Sequence, residues 1–470
     1  MDCEQLAQRF ELTVKTWRQQ GDLPLSTRQD YLRRLADLLQ EHAEDISAAI
    51  NSDFLHRSTK ETYFLELFPT LKAIKYCLKN MKKWAKPRRK KVSYLFQPAK
   101  AYVQPQALGV VGVISPWNYP LYLSLVPAAY ALAAGNRVMI KFSELTPKTG
   151  ELIASLIEKT FPKEDVCLIN GDVTLGKRFA SLPFGHLIFT GSTTVGRQVM
   201  RAASENLTPV TLELGGKSPA LISTSCPDHY LHRLLMGKCF NAGQTCIAPD
   251  YVLMPTSATN RFEQLVREFI DKRYPNMPNN DHYSSIISPS HFQRLIRLLE
   301  DAKIKGATVI CLGDINNELR KMPLTLVLNP SDDMILMQEE IFGPILPVIG
   351  YETFDQAVSY VDKHRNPLAL YYFGKNKAEI ELVSKRQLSG ALTINDTIMH
   401  IAVDDLPFGG VGESGMGCYH GQEGFDRFSM LKPIFIQRNL APASWLYPPY
   451  GKLMRLFLKW IGRLKFKDKA

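Results

Sequence analysis

Residues 110–142, VVGVISPWNYPLYLSLVPAAYALAAGNRVMIKF, contain the pattern that decides the fold of this chain. The apolar run Val110–Ile114 predicts a buried strand, residues 121–134 predict a buried helix, and residues 137–142 predict a second strand. This order is the repeating unit of a parallel sheet. No charged side chain occurs between residues 101 and 136, but prolines and glycines interrupt the run, and a membrane span needs about 20 continuous apolar residues. We therefore predict a globular interior.

Strands and helices alternate downstream of this unit. Strands predicted at 166–169, 186–190 and 210–212 are separated by helices, and a second series begins after Gly215. The second series comprises 220–222, 251–255, 308–311, 325–328, 345–350, 370–373 and 391–395. Residues 1–80 are predicted to be helical. The pattern indicates an α/β fold with two doubly wound parallel-sheet domains.

Composition limits the class of protein. A chain of 470 residues with 45% hydrophobic and 22% charged residues is typical of a soluble globular protein of several domains. The eight cysteines are scattered, with no CxxC pair and no histidine cluster at metal-ligand spacing. This usage indicates a reducing compartment and argues against a disulfide scaffold or a metal site. We expect a cytoplasmic protein without a metal.

The net charge of +11 is concentrated in two segments. Residues 79–91 carry eight basic side chains and no acidic one, and residues 452–470 carry seven basic side chains and one acidic one. The remainder is slightly acidic, so the basic balance describes two local surfaces. Because no nucleic-acid-binding motif accompanies the charge, we expect no nucleic-acid partner.

Residues 451–470 predict a basic amphipathic helix. One face carries Leu453, Phe457, Trp460, Ile461 and Leu464, and the opposite face carries Arg455, Lys459 and Arg463. The helix could pack on its own domain or on a partner subunit, contact a membrane surface, or cap the substrate entrance. The sequence leaves these three alternatives open.

Three residues form a candidate catalytic set. Cys246 follows Gly243-Gln244-Thr245, and Glu213 ends an apolar strand ahead of two glycines. A cysteine that attacks a carbonyl needs a base and a donor for the oxyanion, and Asn118, between two prolines, offers a neutral amide N–H. The alternatives are a small buried cysteine, a buried ion-pair carboxylate and a turn-forming asparagine.

A candidate nucleotide site lacks the GxGxxG fingerprint. Instead Gly191, Ser192 and Gly196 follow a predicted strand and open a helix, whose N-terminus favours phosphate. The alternative is a helix-capping turn. Lys141 and Glu144 follow the preceding strand and could bind the ribose hydroxyls of an adenosine.

The segments around Asn118, Glu213 and Cys246, in this order and spacing, resemble the NAD(P)-dependent aldehyde dehydrogenases over about residues 20–450. The resemblance implies that Cys246 is the nucleophile, Glu213 the general base and Asn118 the oxyanion donor. Residues 339–344, Glu-Glu-Ile-Phe-Gly-Pro, match the family's nicotinamide-ribose segment. The cofactor residues so implied are Trp117, Lys141, Glu144, Gly191, Ser192, Gly196, Glu340 and Phe342. The family more often has proline where Phe142 stands.

Within the family, residues 241–251, 415–421 and 447–450 resemble the class 3 and coniferyl aldehyde dehydrogenase branch. This branch implies a homodimer. We accordingly predict a Rossmann-like NAD(P)-binding domain, a catalytic domain, a small oligomerisation element and the C-terminal helix. The NAD(P)-binding domain is predicted to comprise residues 1–85 and 107–213, and the catalytic domain residues 214–410. The oligomerisation element is predicted to comprise residues 86–106 and 431–450, and the C-terminal helix residues 451–470.

The expected reaction is oxidation of an aldehyde to a carboxylic acid through a cysteine thiohemiacetal and a thioester. The resemblance favours an aromatic substrate such as coniferaldehyde, and a medium- or long-chain aliphatic aldehyde is the alternative. A CoA-acylating enzyme is disfavoured because such relatives usually lack the glutamate base, and a catalytically silent relative because all three residues are present. NAD is the expected cofactor, with NADP left open, since class 3 relatives keep Glu144 and accept both.

Overall fold

Two mainly parallel sheets and one small antiparallel sheet organise the chain in a computed structural model that describes residues 2–363, 366–441, 443–444 and 447–462. The strands are β1 (Arg88–Lys90), β2 (Lys100–Ala107), β3 (Val110–Ile114), β4 (Arg137–Lys141), β5 (Val166–Ile169), β6 (His186–Thr190), β7 (Val210–Glu213), β8 (Pro219–Ile222), β9 (Tyr251–Pro255), β10 (Thr308–Cys311), β11 (Thr325–Leu328), β12 (Ile345–Tyr351), β13 (Ala369–Phe373), β14 (Ala391–Ile394), β15 (Gly415–Met416) and β16 (Ser429–Ile436).

Helices cover both parallel sheets. They are α1 (Cys3–Gln20), α2 (Leu25–Glu41), α3 (Ala43–Asp53), α4 (Thr59–Thr62), α5 (Phe68–Trp84), α6 (Tyr122–Ala134), α7 (Pro147–Thr160), α8 (Val173–Ala180), α9 (Thr193–Ser204), α10 (Asp228–Cys239), α11 (Thr259–Arg273), α12 (Pro289–Ile304), α13 (Ile335–Gln338), α14 (Phe354–Val361), α15 (Lys377–Arg386), α16 (Gly421–Arg427) and α17 (Lys452–Gly462). A π-helical turn, Tyr63–Leu67, joins α4 to α5.

The first sheet has six strands in the order β15-β7-β6-β3-β4-β5. All its neighbours are parallel except β15, which pairs antiparallel with β7. The strand order reverses between β3 and β6, and ligands of open α/β sheets bind at the carboxyl ends of strands at such a point. The crevice beyond Ile114 and Thr190 is therefore where a nucleotide site is expected.

The second sheet has seven strands in the order β10-β11-β12-β9-β8-β13-β14. Only β10 runs antiparallel to its neighbour. The two sheets confirm the predicted doubly wound α/β class, with strand bounds within two residues of those predicted. The antiparallel edge strands were not predicted.

The third sheet, β1-β2-β16, is antiparallel. Residues 86–107 form two of its strands, and β16 returns from the far end of the chain to pair with the full length of β2. Its outer strand β16 is mostly exposed, with Met430, Leu431, Phe435 and Ile436 on the surface.

Helix α6 shows how the uncharged stretch is used. Every residue from Tyr122 to Ala134 is buried, as the prediction of a buried helix required. The helix packs against α2, α5 and the first sheet, so its all-round hydrophobicity reflects a position inside the protein. Among the described residues, no helix combines the length and hydropathy that crossing a membrane would require.

Candidate active site

A cavity of about 400 Å³ lies beyond the carboxyl ends of β6 and β7. Its wall contains Asn118, Glu213 and Cys246, which lie far apart in the sequence. Trp117, Glu340 and Phe342, which the family resemblance implies in cofactor binding, line the same space. Gly191 and Ser192 line it as well, so the fold brings eight of the predicted site residues together around one cavity.

A turn in the left-handed region presents Cys246. Asn241, Ala242 and Gly243 have φ values of 51°, 51° and 74°. Only glycine fits at the third position, because an added Cβ on Gly243 would lie 2.4 Å from the carbonyl oxygen of Gly343. The close approach joins the cysteine turn to the segment that carries Glu340 and Phe342.

Side-chain bonds lock this turn. The Gln244 amide donates to the carbonyls of Asn241 (2.9 Å) and Ser285 (3.0 Å), and its oxygen accepts from the N–H of Ile287 (3.0 Å). Satisfied buried polar networks of this kind fix one conformation. Cys246 is consequently held at a defined place on the cavity wall.

The surroundings of Cys246 favour the protonated thiol. Burial raises its pKa above the ordinary thiol value, and the carboxylates of Glu340 and Glu213 raise the pKa further. The backbone N–H groups of Cys246 and Ile247 act in the opposite direction. A base must therefore remove the thiol proton before the sulfur can attack a carbonyl.

Glu213 is suited to that task. It ends β7, is 2% exposed, and neither carboxyl oxygen has a hydrogen-bond partner among the described residues. Burial raises its pKa well above the ordinary carboxyl value, and the positive charge of Arg427 lowers it in part. A carboxyl with a raised pKa is a stronger base, so Glu213 can accept a proton from a thiol or from water.

Asn118 is buried between β3 and α6. Its Nδ2 donates to the carbonyl of Gln244 (3.2 Å), and its Oδ1 has no partner among the described residues. The amide carries a second N–H, which is available to an oxygen in the cavity. Asn118 and Cys246 line the same wall, as an oxyanion site requires.

A second cavity of about 450 Å³ adjoins the first and shares Trp117, Gly191 and Ser192 with it. It lies at the reversal in strand order and is also lined by Lys141 and Glu144. Lys141 Nζ donates to the carbonyl of Phe142 (2.7 Å) and lies 3.7 Å from a carboxyl oxygen of Glu144. Burial lowers the pKa of Lys141.

The glycine-containing turn has an internal role as well. Ser192 caps α9 by accepting from the N–H of Val195 (3.4 Å). An added Cβ on Gly191 would lie 2.5 Å from Phe189, and one on Gly196 would lie 2.6 Å from Leu214. Gly196 is not among the described residues that line either cavity, so its side of the turn faces the protein interior.

Aromatic and carboxylate groups surround the junction of the two cavities. Trp117 meets Phe342 edge-on at 5.4 Å and His291 at 5.1 Å between ring centres. Glu340 Oε1 is buried without a hydrogen-bond partner in the described part of the chain, and burial raises the pKa of Glu340 to about 8. An unpartnered carboxyl here fits the hydroxyl groups of a ribose, so these residues fit a dinucleotide.

A third cavity of about 210 Å³ lies on the other side of Cys246. It is mainly apolar, and its wall consists of Phe64, Leu65, Phe68, Pro69, Lys72, Tyr119, Tyr122, Leu123, Thr245, Cys246, Ile247, Ile398, Met399, Ile401 and Ala402. Phe64 and Phe68 also line a surface groove of about 650 Å³. Cys246 therefore lies between the cavity that contains Glu213 and Glu340 and a second, apolar cavity.

Sequence reasoning missed several groups at the site. His291 and Arg294 line the cavity, with Arg294 donating to the carbonyl of Glu340 (3.3 Å), and Arg427 acts on Glu213. None belongs to a motif with a stated chemical role. All eight cysteines are free, and the described residues contain no group of three or more His, Cys, Asp or Glu side chains that could hold a metal ion.

Comparisons with known proteins agree with this geometry. The sequence-family model described as "Aldehyde dehydrogenase family" matches residues 2–434 of this chain. A probable coniferyl aldehyde dehydrogenase of Pseudomonas aeruginosa is 51% identical over 90% of this chain and 89% of its own length. The substrate-bound Staphylococcus aureus AldH has 35% identity and a TM-score of 0.92 over 97% of this chain and 99% of its own. A Staphylococcus aureus betaine aldehyde dehydrogenase point mutant in complex with NAD+ has 26% identity and a TM-score of 0.84 over 94% and 90%.

Proposed function

Because the chain belongs to the aldehyde dehydrogenase family, whose members oxidise aldehydes with NAD(P), we propose that Cys246, Glu213 and Asn118 carry out this reaction here. The observation that carries the proposal is the single cavity whose wall contains all three side chains. This cavity shares Trp117 with the cavity that fits the dinucleotide and Cys246 with the apolar cavity that fits the substrate.

The first step needs a thiolate. Glu213 accepts the thiol proton, and the Cys246 sulfur attacks the aldehyde carbonyl carbon to form a thiohemiacetal. The carbonyl oxygen then carries negative charge, which the free N–H of Asn118 and the backbone N–H of Cys246 stabilise. Single donors of this kind are typically worth about 3 kcal/mol to the transition state.

The second step needs water. NAD held beside Trp117, Glu340 and Phe342 would supply the acceptor for the hydride of the thiohemiacetal carbon, and Cys246 would then carry the acyl group as a thioester. Glu213 first releases to solvent the proton that it took from Cys246. It then removes a proton from a water molecule, whose oxygen attacks the acyl carbon. The carbon–sulfur bond then breaks, the acid leaves as a carboxylate, and the Cys246 thiol is restored.

We propose that Trp117, Lys141, Glu144, Gly191, Ser192, Glu340 and Phe342 line the cofactor site. Gly196 would support the site indirectly, by letting α9 pack closely against Leu214. Lys141 and Glu144 would bind the adenosine ribose, and Glu340 and Phe342 the nicotinamide side. A carboxylate at Glu144 accepts a hydrogen bond from a free 2′-hydroxyl and repels a 2′-phosphate. We therefore propose NAD as the preferred cofactor, with NADP as a poorer one.

For the substrate we propose an aromatic aldehyde such as coniferaldehyde. Phe64, Tyr119 and Tyr122 flank the apolar cavity beside Cys246, and aromatic side chains pack well against a flat ring. The Pseudomonas aeruginosa relative, named a probable coniferyl aldehyde dehydrogenase, supports the same class.

A medium- or long-chain aliphatic aldehyde is the second candidate. One observation favours it: the cavity beside Cys246 shares Phe64 and Phe68 with a surface groove of about 650 Å³. An alkyl chain could extend along that groove, and each buried methylene would contribute about 0.8 kcal/mol.

Steady-state rates of cofactor reduction distinguish the two substrates. The purified protein is assayed with coniferaldehyde, benzaldehyde, hexanal and dodecanal, each with NAD and with NADP, in the absence of CoA. We expect the highest kcat/KM with coniferaldehyde and NAD. A kcat/KM that rises with alkyl length and exceeds the coniferaldehyde value would establish the aliphatic candidate instead, and turnover that requires CoA would contradict the hydrolytic reaction.

We propose a homodimer and retain the domain division 1–85 with 107–213, 214–410, and 86–106 with 431–450. Two open sheet edges support the dimer: β14 and β16 each end their sheet, and neither has an outer partner strand among the described residues. Exposed edges favour pairing with another chain. The exposed Leu431 and Phe435 on β16 would be covered by such pairing.

We further propose a cytoplasmic protein whose α17 contacts an anionic membrane surface. Leu453, Leu456 and Trp460 are between 64% and 71% exposed, and Arg455 and Lys459 flank them. Trp460 meets Tyr94 edge-on at 6.4 Å, and Tyr94 follows the basic segment 79–91 by three residues in the sequence. Basic residues at such a surface add about 1 kcal/mol each. The predicted face residues Arg463 and Leu464 lie outside the described residues.

Vesicle binding tests this proposal. We expect the protein to co-sediment with vesicles containing phosphatidylserine and not with pure phosphatidylcholine, and we expect deletion of residues 451–470 to abolish binding. The deletion should leave the protein a dimer, as judged by its molecular mass in solution, because the edge strands β14 and β16 remain. A matched variant, Leu456→Ser with Trp460→Ser, keeps every charge and should also lose binding. Equal binding of the intact and deleted chains would refute the membrane contact.

A further inference from the structure

An ion pair between Arg57 and Glu66 is sealed behind the catalytic wall. Both side chains are 0% exposed, and Arg57 Nη1 lies 2.8 Å from Glu66 Oε1. Neither residue is among the described residues that line the three cavities around Cys246. Replacing such a pair by uncharged residues of similar size is often neutral for stability, so stability alone does not explain its presence.

The pair holds the chain on both sides of the oxyanion donor. Arg57 Nη1 also donates to the backbone carbonyl of Asn118 (3.1 Å). Glu66 Oε2 accepts from the N–H groups of Leu121 (2.8 Å) and Tyr122 (3.3 Å), at the start of α6. The segment from residue 118 to residue 122 is therefore anchored at its first carbonyl and at its last two amides by two opposite charges.

The same anchor reaches the nucleophile turn. Asn241 Nδ2 donates to the Asn118 carbonyl (3.0 Å), so Arg57 and the cysteine turn share one acceptor. The Arg57 guanidinium carbon lies 5.1 Å and 5.0 Å from the ring centres of Phe54 and Tyr119, and the Tyr119 hydroxyl bonds Thr245 Oγ1 (2.6 Å). Thr245 directly precedes Cys246.

Local backbone geometry places Glu66 for this role. Glu66 lies in the π-helical turn Tyr63–Leu67, between α4 and α5. A π turn inserts a residue into the helical repeat, and such turns occur frequently at functional sites. The adjacent Phe64 and Leu65 line the substrate cavity, so one short turn faces the cavity on one side and the ion pair on the other.

We propose that Arg57 and Glu66 are positioning residues that fix the Asn118 amide against the oxygen of the reacting aldehyde; the inference rests on the proposed role of Asn118. Misplacement of a catalytic group by about 1 Å can lower a rate by about 100-fold. Because the oxyanion forms only after attack, loss of the anchor lowers kcat and leaves the aldehyde KM nearly unchanged.

A double-mutant cycle tests the proposal. Arg57→Met combined with Glu66→Gln removes both charges at nearly constant volume, and the pair of substitutions is made with Asn118 intact and in the Asn118→Ala background. We expect kcat for coniferaldehyde to fall about 10- to 100-fold when Asn118 is present, and less than about threefold when it is absent. The Kd for NAD, measured by fluorescence titration, and Tm report on the cofactor site and on folding.

A matched ion pair controls for buried charge in general. Arg137 Nε lies 2.8 Å from Asp165 Oδ1, and Arg137 also donates to a backbone carbonyl, that of Gly21 (2.9 Å), at the opposite end of β4 from the cofactor cavity. Arg137→Met with Asp165→Asn should change Tm but leave kcat within about twofold of the value for the unsubstituted protein. The effect on kcat should be the same with Asn118 present and in the Asn118→Ala background.

The outcomes distinguish the positioning role of Arg57 and Glu66 from the oxyanion role of Asn118. An equal loss of kcat from the Arg57 and Glu66 substitutions in both backgrounds, or no loss in either, would overturn the positioning role. If Asn118→Ala itself left kcat unchanged, the oxyanion role and the positioning role would both fall. Where the double substitution prevents folding, Glu66→Gln alone, which keeps the side-chain shape, is carried through the same cycle with the same expected non-additivity.

Discussion

Replacing Cys246 by alanine is expected to lower kcat/KM for aldehyde oxidation by at least about 10,000-fold, because the covalent route disappears with the sulfur. Neither Glu213 nor Asn118 can substitute, since one supplies a proton acceptor and the other a hydrogen-bond donor. The measurement is the steady-state rate of NADH formation at saturating NAD over a range of coniferaldehyde concentrations. Cofactor binding should persist, because the dinucleotide cavity is lined by other elements.

Cys239 provides the matched control. It lies seven residues before Cys246, ends α10 and is 1% exposed. Burial raises the pKa of its thiol, and it lines none of the described cavities around Cys246. We expect Cys239→Ala to lower Tm and to leave kcat/KM within a factor of about three. Activity that survives in Cys246→Ala but is lost in Cys239→Ala would show that Cys246 is not the nucleophile.

Replacing Glu213 by glutamine is expected to separate the two halves of the reaction. A water molecule can still take up the thiol proton, so acylation is slowed less than hydrolysis, for which the buried thioester lacks a base. We therefore predict a burst of about one NADH per active site, followed by a steady rate at least about 100-fold below that of the unmodified protein. Rapid-mixing absorbance at high enzyme concentration measures both phases.

The pH dependence gives an independent check on Glu213. A protonated carboxyl cannot accept a proton from water, so kcat falls as the pH drops through the pKa of Glu213. Burial raises that pKa well above the ordinary carboxyl value, so the fall begins at a higher pH than for an exposed glutamate. The Glu213→Gln protein should lose this inflection.

Glu340 requires its own control because burial raises its pKa to about 8. We expect Glu340→Gln to raise the KM for NAD while the kcat inflection due to Glu213 remains. An inflection that disappears in Glu340→Gln and persists in Glu213→Gln would exchange the roles of the two carboxylates.

The parts of the fold that depend on local pattern could be predicted from the sequence. Val110–Ile114, the buried helix α6 and Arg137–Lys141 follow directly from short apolar runs separated by turns, and the structure has them within a residue of the prediction. The antiparallel direction of β10 and β15 could not be predicted, because an edge strand is oriented by the path of the connecting chain.

The candidate site likewise contains residues that could be predicted from the sequence and contacts that could not. Glu213 was predicted at a strand end because it follows an apolar run ahead of two glycines, and it ends β7 in the structure. Trp117 was implied only by the family resemblance. The contact between Arg57 and the carbonyl of Asn118 joins residues 61 positions apart, and no periodicity or motif links them. Such contacts depend on tertiary packing, as does the left-handed turn at Asn241.

The most direct test of the account is the mass of the peptide that contains Cys246 after Glu213→Gln is mixed with NAD and coniferaldehyde and quenched in acid within the burst. We predict an added acyl group, of the mass of the corresponding acid less water, on Cys246 and on none of the other seven cysteines. An acyl group on a different cysteine, or NADH formed in a burst with no acylated peptide, would contradict the proposed mechanism.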